Sequence, residues 1–117
     1  MALPRNSYTI AADVLVDFTK AAGRDRLSVP SLATFLLRGY VEGRVVLARP
    51  LPDGGSAPRT PKDLALDEGL LQRAAAKADR DGVVSTSRLL EILFAGYNRE
   101  EITLAASGQV GGTPDGA

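Results

Sequence analysis

Two carboxylates, Asp79 and Asp81, are of a residue type and at a spacing that could bind a cation. They lie in the string KADRDG, where Gly82 supplies a residue suited to a tight turn. Carboxylate oxygens are the ligands that hard cations such as Ca²⁺ prefer. The same string is also typical of an Asx-type surface turn, which needs no ion. The sequence favours the turn, with a residual cation loop at Asp79 and Asp81 as the alternative.

The 117 residues include no cysteine and no histidine. Disulfides, thiolate nucleophiles, Cys/His zinc sites and Ser-His-Asp triads are therefore excluded. The glycine-rich strings PDGGSAP and GQVGG lack the lysine and the Ser/Thr of a phosphate loop. Adjacent acidic pairs such as Glu100 and Glu101 fit solvated helix faces. We expect no catalytic residue, no cofactor and no metal ion, and hence a protein that is not an enzyme.

Basic side chains are concentrated in the first half of a chain whose formal charge is zero. Residues 1–49 carry seven basic and four acidic groups, whereas residues 50–117 carry seven and ten. Arg24, Arg26 and Arg38 could contact DNA phosphates from a helix-turn-helix or a winged helix. The zero net charge argues against this, so a DNA-binding transcriptional regulator is the alternative function.

The sequence contains a tandem repeat with an offset of 57 residues, and the helices predicted for each copy would position the charged residues described above. Nine side chains between positions 20 and 48 recur at this offset, among them the pairs Ser28/Ser85, Leu32/Leu89, Leu36/Leu93, Gly39/Gly96 and Tyr40/Tyr97. Apolar spacing predicts helices over Thr9–Ala22 and Pro30–Arg38 in the first copy. It predicts helices over Leu64–Ala78 and Ser87–Ala95 in the second copy.

The ends of the second helices can also be predicted. Ser28 and Ser85 are expected to be N-caps, because a hydroxyl accepts from an amide of the first turn. Gly39 and Gly96 are expected to be the left-handed residues that end these helices. The face buried by the first of them is expected to include Leu32, Phe35 and Leu36.

The remaining segments complete the domain organisation. Arg44–Ala48 is predicted as a strand or a helical turn, and a last helix is predicted from Asn98 to about Ala106. Four prolines and two glycines in the stretch 49–61 indicate an exposed linker. The expected order is an N-terminal extension (1–8), repeat 1 (9–48), a Pro/Gly linker (49–61), repeat 2 (62–106) and a flexible tail (107–117).

The second copy resembles an EF-hand. Gly82 stands at the turn glycine of that family, Val84 at the apolar residue that bridges two loops, and Leu89, Ile92 and Leu93 at the core face of the exiting helix. The resemblance implies an all-α fold of two helix-loop-helix repeats packed as a pseudo-twofold pair, with a minimal β-bridge between the loops. Lys77 and Arg88 stand at the first and last ligand positions, which implies a calcium-independent pair.

This resemblance implies a non-enzymatic protein-binding or structural assembly subunit whose partner is a protein or a larger assembly. The groove between the repeats would be lined by Phe35, Leu36, Tyr40, Ile92, Leu93 and Tyr97. Nucleic acid is a partner only under the DNA-binding alternative. No apolar run approaches the roughly 20 residues of a membrane span, and the first residues lack the pattern of a secretory signal. We therefore expect an intracellular, cytoplasmic protein.

Overall fold

The computed structural model describes residues 5–47 and 58–101. These residues form a strand and two helices, followed by a second strand and two more helices. The elements are β1 (Arg5–Ala11), α1 (Ala12–Arg24), α2 (Val29–Val41), β2 (Arg59–Ala65), α3 (Glu68–Arg80) and α4 (Thr86–Asn98). The fold is mostly helical, but the two strands correct the expectation of an all-α protein.

The two strands pair antiparallel with each other and form what we call the ribbon. Their register runs from Arg5 opposite Ala65 to Ala11 opposite Arg59, and it is centred on the pair Tyr8 and Lys62. The expected bridge between the inter-helix loops is wrong, because each strand instead precedes the first helix of its unit.

The strands also correct the predicted starts of the first helices. Helices predicted from Thr9 and Leu64 begin instead at Ala12 and Glu68, after the strands have ended. Ile10 lies four residues before Val14, which fits a helix, but it also alternates with Tyr8, which fits a strand. Pairing with β2 decides between these two patterns, and β2 lies in the other half of the sequence.

The second helices begin one residue before the predicted starts, at Val29 and Thr86, and end later than predicted. Ser28 accepts from the amide of Ser31 at 3.2 Å, and Ser85 accepts from the amide of Arg88 at 3.1 Å, which confirms both N-caps. Gly39 and Gly96 are buried inside α2 and α4 instead of ending them. Each helix continues past its glycine because the next residue, Tyr40 or Tyr97, packs into the core.

A single offset of 57 does not relate all the elements. The starts of α1 and α3, Ala12 and Glu68, are related by an offset of 56, whereas the starts of α2 and α4 are related by 57. The extra residue is Val84, whose side chain is 89% exposed, so it does not bridge two loops. Leu27 matches Val83 instead, because each donates its amide to a carbonyl near the end of the preceding helix, at 2.8 and 2.9 Å.

The two units interlock instead of packing as separate repeats. α1 packs mainly against α4, and α3 packs mainly against α2, so the most extensive helix contacts cross between units. The rings of Phe18 and Phe94 stack with centroids 3.7 Å apart, and Tyr97 meets Phe18 edge-on at 5.9 Å. Other fully buried side chains of this core are Ile10, Leu32, Leu36, Leu37, Tyr40, Leu64, Leu66, Leu89, Leu90 and Leu93.

The structure tests only part of the predicted boundaries. Residues 5–8 belong to β1 and Arg59–Pro61 to β2, so neither is an extension or a linker. Residues 44–47 form neither strand nor helix, and Asn98 ends α4 instead of starting a new helix. The rest of the linker, the predicted last helix beyond residue 101 and the tail lie outside the described residues.

Glu100→Gly is expected to raise the free energy of unfolding by about 0.5–1 kcal/mol. Glu100 has a φ of 61°, and the corresponding residue after α2 is Gly43, with a φ of 83°. A side chain costs about 1–2 kcal/mol in this left-handed region, and the greater freedom of glycine in the unfolded chain offsets part of the gain. Urea denaturation measures the change, with Gly43→Ala as the opposite control. A destabilised Glu100→Gly variant would contradict this explanation.

Candidate nucleic-acid interface

One face of the ribbon is exposed and polar. The alternation of β1 buries Tyr8 and Ile10 against the helices, and β2 buries Leu64 on the same side. The opposite side presents the exposed residues Ser7, Thr9, Pro61 and Asp63, which we call the outer ribbon face. In the antiparallel register Ser7 lies opposite Asp63, and Thr9 lies opposite Pro61. The protein therefore presents a short two-stranded surface with hydroxyls and one carboxylate.

The ribbon carries a positive formal charge in a chain with none. Its two strands contain the cations Arg5, Arg59 and Lys62 against the single acid Asp63, which gives +2. Lys62 is partly buried, and the side chain of Arg59 is 35% exposed. The two strands therefore have an excess of positive formal charge that the whole chain does not have.

The first turn of α4 lies beside the ribbon. The Ser87 hydroxyl oxygen accepts from the amide of Thr9 at 3.1 Å, so this turn is directly attached to β1. Arg88 follows in the same turn and is partly buried. The amides of a helix N-terminus favour negative charge, and here they stand next to an arginine and the outer ribbon face.

A buried carboxylate, Glu91, attaches α4 to one end of the ribbon. It accepts from the amide of Ala11 at 2.8 Å and from the guanidinium of Arg88 at 2.7 Å, and it also bonds Arg59. The Glu91 side chain is 5% exposed. Its position in the apolar string RLLEILF was the signal that sequence reasoning missed, because a charge among buried leucines needs a partner.

The partners of Glu91 keep it ionised. Burial alone would raise the pKa of this carboxyl group, but the hydrogen bonds from Arg59 and from the Ala11 amide, together with the charges of Arg59 and Arg88, hold it below its ordinary value. Two guanidinium groups are thus fixed beside the ribbon by one carboxylate. The cluster retains one net positive charge.

Matching contacts between a tyrosine and an aspartate fasten the two units on opposite sides. The Tyr40 hydroxyl donates to Asp81 at 2.5 Å, and the Tyr97 hydroxyl donates to Asp25. Lys77 donates to the Tyr40 carbonyl oxygen at 2.6 Å, and its ammonium lies 4.8 Å from the centre of the Tyr40 ring. Each aspartate is the C-cap of a first helix, so these bonds connect the inter-helix loops to the other unit.

The two residues of the predicted cation loop, Asp79 and Asp81, do not lie together in a loop. Asp79 is an exposed residue within α3, and Asp81 is the C-cap that accepts from Tyr40. In the part of the chain that the structure describes, no three acidic side chains are grouped as a metal site would require. The inter-helix connection is only Asp81–Ser85, because Lys77 lies in α3 and Arg88 in α4.

Tyr97→Phe is expected to lower the free energy of unfolding near neutral pH. It is also expected to make that free energy less dependent on pH in the alkaline range. Burial, followed by the hydrogen bond to Asp25, raises the pKa of Tyr97 from 10.0 to about 12. The neutral phenol is favoured in the folded state, so its contribution is complete below pH 10 and is lost as the pH rises towards about 12. The variant should lose about 1–2 kcal/mol at pH 8, and its stability should fall less steeply above pH 10. Urea denaturation across this range measures both effects, and parallel stability profiles would refute the assignment.

The predicted groove is filled by the protein itself. Leu36, Tyr40 and Leu93 are fully buried, and Ile92 and Tyr97 are nearly so. Phe35 is the exception at 42% exposure, which corrects its predicted place in the core. It borders a cavity of about 200 Å³ with Ser31, Thr34 and Arg38.

The arginines predicted to contact DNA are not in the ribbon strands. Arg24 pairs with Asp25 at 3.3 Å, and Arg26 is an exposed left-handed residue in the loop after α1. Arg38 is exposed near the end of α2, about 14 Å along the helix from its first residue at about 1.5 Å per residue. None of the three is part of the outer ribbon face.

In comparisons with known proteins, no family model, curated protein or solved structure matches the chain. Within residues 5–47 and 58–101, none of the helices has the length and apolar character needed to cross a membrane.

Proposed function

We propose that this protein binds double-stranded DNA by placing the ribbon in the major groove. The observation that carries the proposal is the exposed, polar outer face of an antiparallel two-stranded ribbon, supported from behind by four interlocked helices. The major groove of B-DNA is about 12 Å wide and admits a two-stranded β-ribbon. The proposal keeps the DNA-binding alternative but replaces the expected helix-turn-helix with the ribbon.

The dimensions and chemistry of the ribbon support this proposal. Each strand has seven residues, a length of about 20 Å, which corresponds to about six base pairs. Ser7 and Thr9 carry hydroxyls that can donate to or accept from base edges, and Asp63 can accept from the amino group of cytosine. The outer ribbon face therefore has the groups needed for reading bases.

The cations beside the ribbon support contacts with the phosphates. Arg59 lies at the end of β2, and Arg88 lies in the helix turn attached to β1, so both stand at the edge of the groups that would enter the groove. Contacts with phosphates position a protein on DNA and make its binding depend on salt. Only a few cations lie here, so the expected salt dependence is modest.

Replacing both hydroxyls of β1 that lie on the outer ribbon face, in the double variant Ser7→Glu/Thr9→Glu, is expected to weaken DNA binding at least tenfold. Both side chains are exposed, so the core stays intact while two negative charges face the base edges and phosphates. The carboxylate introduced at position 7 lies opposite Asp63, which weakens the pairing of the strands somewhat. Fluorescence anisotropy of labelled duplexes, measured at several salt concentrations, gives the affinities. Circular dichroism verifies the fold of each variant.

The matched control is Arg38→Ala/Arg99→Ala, which changes the net charge by the same −2 units. Arg38 lies near the end of α2 and Arg99 is the C-cap of α4, each about 14 Å or more along its helix from the first residue. This control should lose less than about threefold in affinity. Equal losses in the two variants would exclude the ribbon as the contact surface, and absence of binding by the unaltered protein would exclude DNA as the ligand.

The protein-binding assembly subunit stays a prediction with weaker support. Five of its six groove residues are core side chains, so a partner helix would have to displace them. Phe35 alone offers an exposed apolar contact among these residues.

A further inference from the structure

At two corresponding positions, the two strands of the ribbon carry different side chains on the outer ribbon face. The antiparallel register centred on Tyr8 and Lys62 relates each residue of β1 to a residue of β2 at an offset of 54. On the outer ribbon face, Ser7 therefore corresponds to Pro61, and Thr9 corresponds to Asp63. Because Ser7 lies opposite Asp63 and Thr9 lies opposite Pro61, one half of the ribbon presents a hydroxyl and a carboxylate, whereas the other presents a hydroxyl and a ring without a donor.

The supports of the two halves differ as well. Glu91, with Arg88 beside it, fastens α4 to the ribbon through a buried carboxylate. The positions that match them in α2, at the offset of 57, are Thr34 and Ser31. Thr34 donates to the carbonyl of Pro30 at 2.8 Å within its own helix, and Ser31 is exposed. The buried carboxylate and the arginine beside it at one end therefore have no equivalent at these positions of the other end, whereas Arg59 corresponds to Arg5 at the offset of 54.

We infer that one chain recognises a non-palindromic DNA site in a single orientation, with Asp63 specifying cytosine in one half; this inference rests on the proposed function. Proteins with two identical halves read palindromic sites because the symmetry of the protein matches that of the DNA. Here a single chain supplies both halves, and they differ in chemistry. Two copies of the chain are therefore not needed to complete the ribbon.

Asp63 carries most of the expected asymmetry. A carboxylate only accepts hydrogen bonds, and the cytosine amino group is a donor that it can meet in the major groove. A hydroxyl both donates and accepts, so the half with Thr9 and Pro61, which has no carboxylate, discriminates less strictly. Replacing the cytosine opposite Asp63 should weaken binding about fivefold or more.

Selection of duplexes from a random library, followed by sequencing, tests the inference with the full-length chain. The expected consensus is about six base pairs long and non-palindromic, with cytosine required in one half. Native mass spectrometry should show one chain per duplex. A symmetrised variant, Pro61→Ser/Asp63→Thr, gives both strands the same outer pair of hydroxyls and should select a more nearly palindromic consensus without the required cytosine.

The outcomes separate this inference from the proposed function. If selection with the folded, unaltered chain enriches no sequence, the proposed DNA recognition itself is wrong. A palindromic consensus, or two chains per duplex, would overturn the single-chain asymmetric site and leave ribbon binding intact. An unchanged consensus for the symmetrised variant, with its fold verified by circular dichroism, would overturn the role given to Asp63. Thr9→Ser, which keeps a hydroxyl, serves as the control and should retain the original consensus.

Discussion

Glu91→Gln is expected to lower the free energy of unfolding by about 3 kcal/mol. The substitution keeps the size of the side chain but removes the charge shared by Arg59 and Arg88. Loss of one member of a buried ion pair costs about 3–5 kcal/mol because its partner remains desolvated. The partial exposure of both arginines lets water compensate for some of that loss, which places the expected value at the lower end.

Urea denaturation at pH 7 measures this loss, and Glu101→Gln is the matched control. Glu101 pairs with Arg99 at 3.0 Å, but both side chains are 54% exposed, so the control should leave the free energy of unfolding almost unchanged. Similar small changes in both variants would show that Glu91 does not hold the ribbon to α4.

The same carboxylate predicts how stability depends on acid. Its pKa is lowered in the folded state, so its contribution is present above its ordinary value of 4.5 and is lost as the pH falls through the lowered folded value. Glutamine does not titrate. The Glu91→Gln variant should therefore show a smaller loss of stability below pH 4.5 than the unaltered protein.

Phe18→Ala is expected to be the most damaging substitution, with a loss of about 3–5 kcal/mol. Phe18 is fully buried and stacks on Phe94 of the other unit, with the edge of Tyr97 against it. Its removal leaves a cavity at the contact between α1 and α4, which joins the two units. This loss is a large fraction of the free energy of unfolding of a typical domain, which is about 5–15 kcal/mol.

Phe35→Ala is the matched control, because it deletes the same atoms from a side chain that is 42% exposed. Complete burial of a phenylalanine contributes about 1.5–3 kcal/mol, so this partial burial should contribute less than about 1.5 kcal/mol. Phe18→Leu is a milder replacement that keeps most of the volume, and its loss should lie between the other two. Urea denaturation followed by circular dichroism gives all three values. A Phe18→Ala variant no less stable than Phe35→Ala would contradict the interlocked packing.

Local signals in the sequence were sufficient to predict the N-caps of the second helices and most of their buried positions. A hydroxyl before an apolar pattern identified the N-caps Ser28 and Ser85, because capping depends on residues within one turn. The buried positions Leu32, Leu36, Leu89 and Leu93 followed from helical spacing. The exposure of Phe35 did not, since burial depends on which other helix covers that side.

The ribbon could not be predicted from local signals alone. Ile10 fits the spacing of a helix with Val14 and Phe18, and the strand that overrides this pattern is stabilised by β2. The expectation that Gly39 and Gly96 end their helices was wrong for a similar reason, because α2 and α4 continue through them and bring Tyr40 and Tyr97 into the core. The left-handed residues are Gly43 and Glu100, and glutamate gives no sequence signal for that conformation.

The candidate site was missed because it is assembled from distant segments. Glu91 meets Ala11 and Arg59 only in the folded chain, across 80 and 32 residues of sequence. The net charge of zero, counted over the whole sequence, hides the +2 of the two strands. Arginines near one another in the sequence, such as Arg24 and Arg26, were the more visible but separate cluster.

The most direct test of ribbon binding is a titration of the isotope-labelled protein with a selected duplex, followed by NMR through the backbone amide signals. The expected result is that the largest shifts occur at Ser7, Thr9 and Asp63 and in the first turn of α4. The signals at the C-terminal ends of α2 and α4 should change little. Largest shifts around Arg26 and Arg38, with the ribbon amides unaffected, would contradict the account.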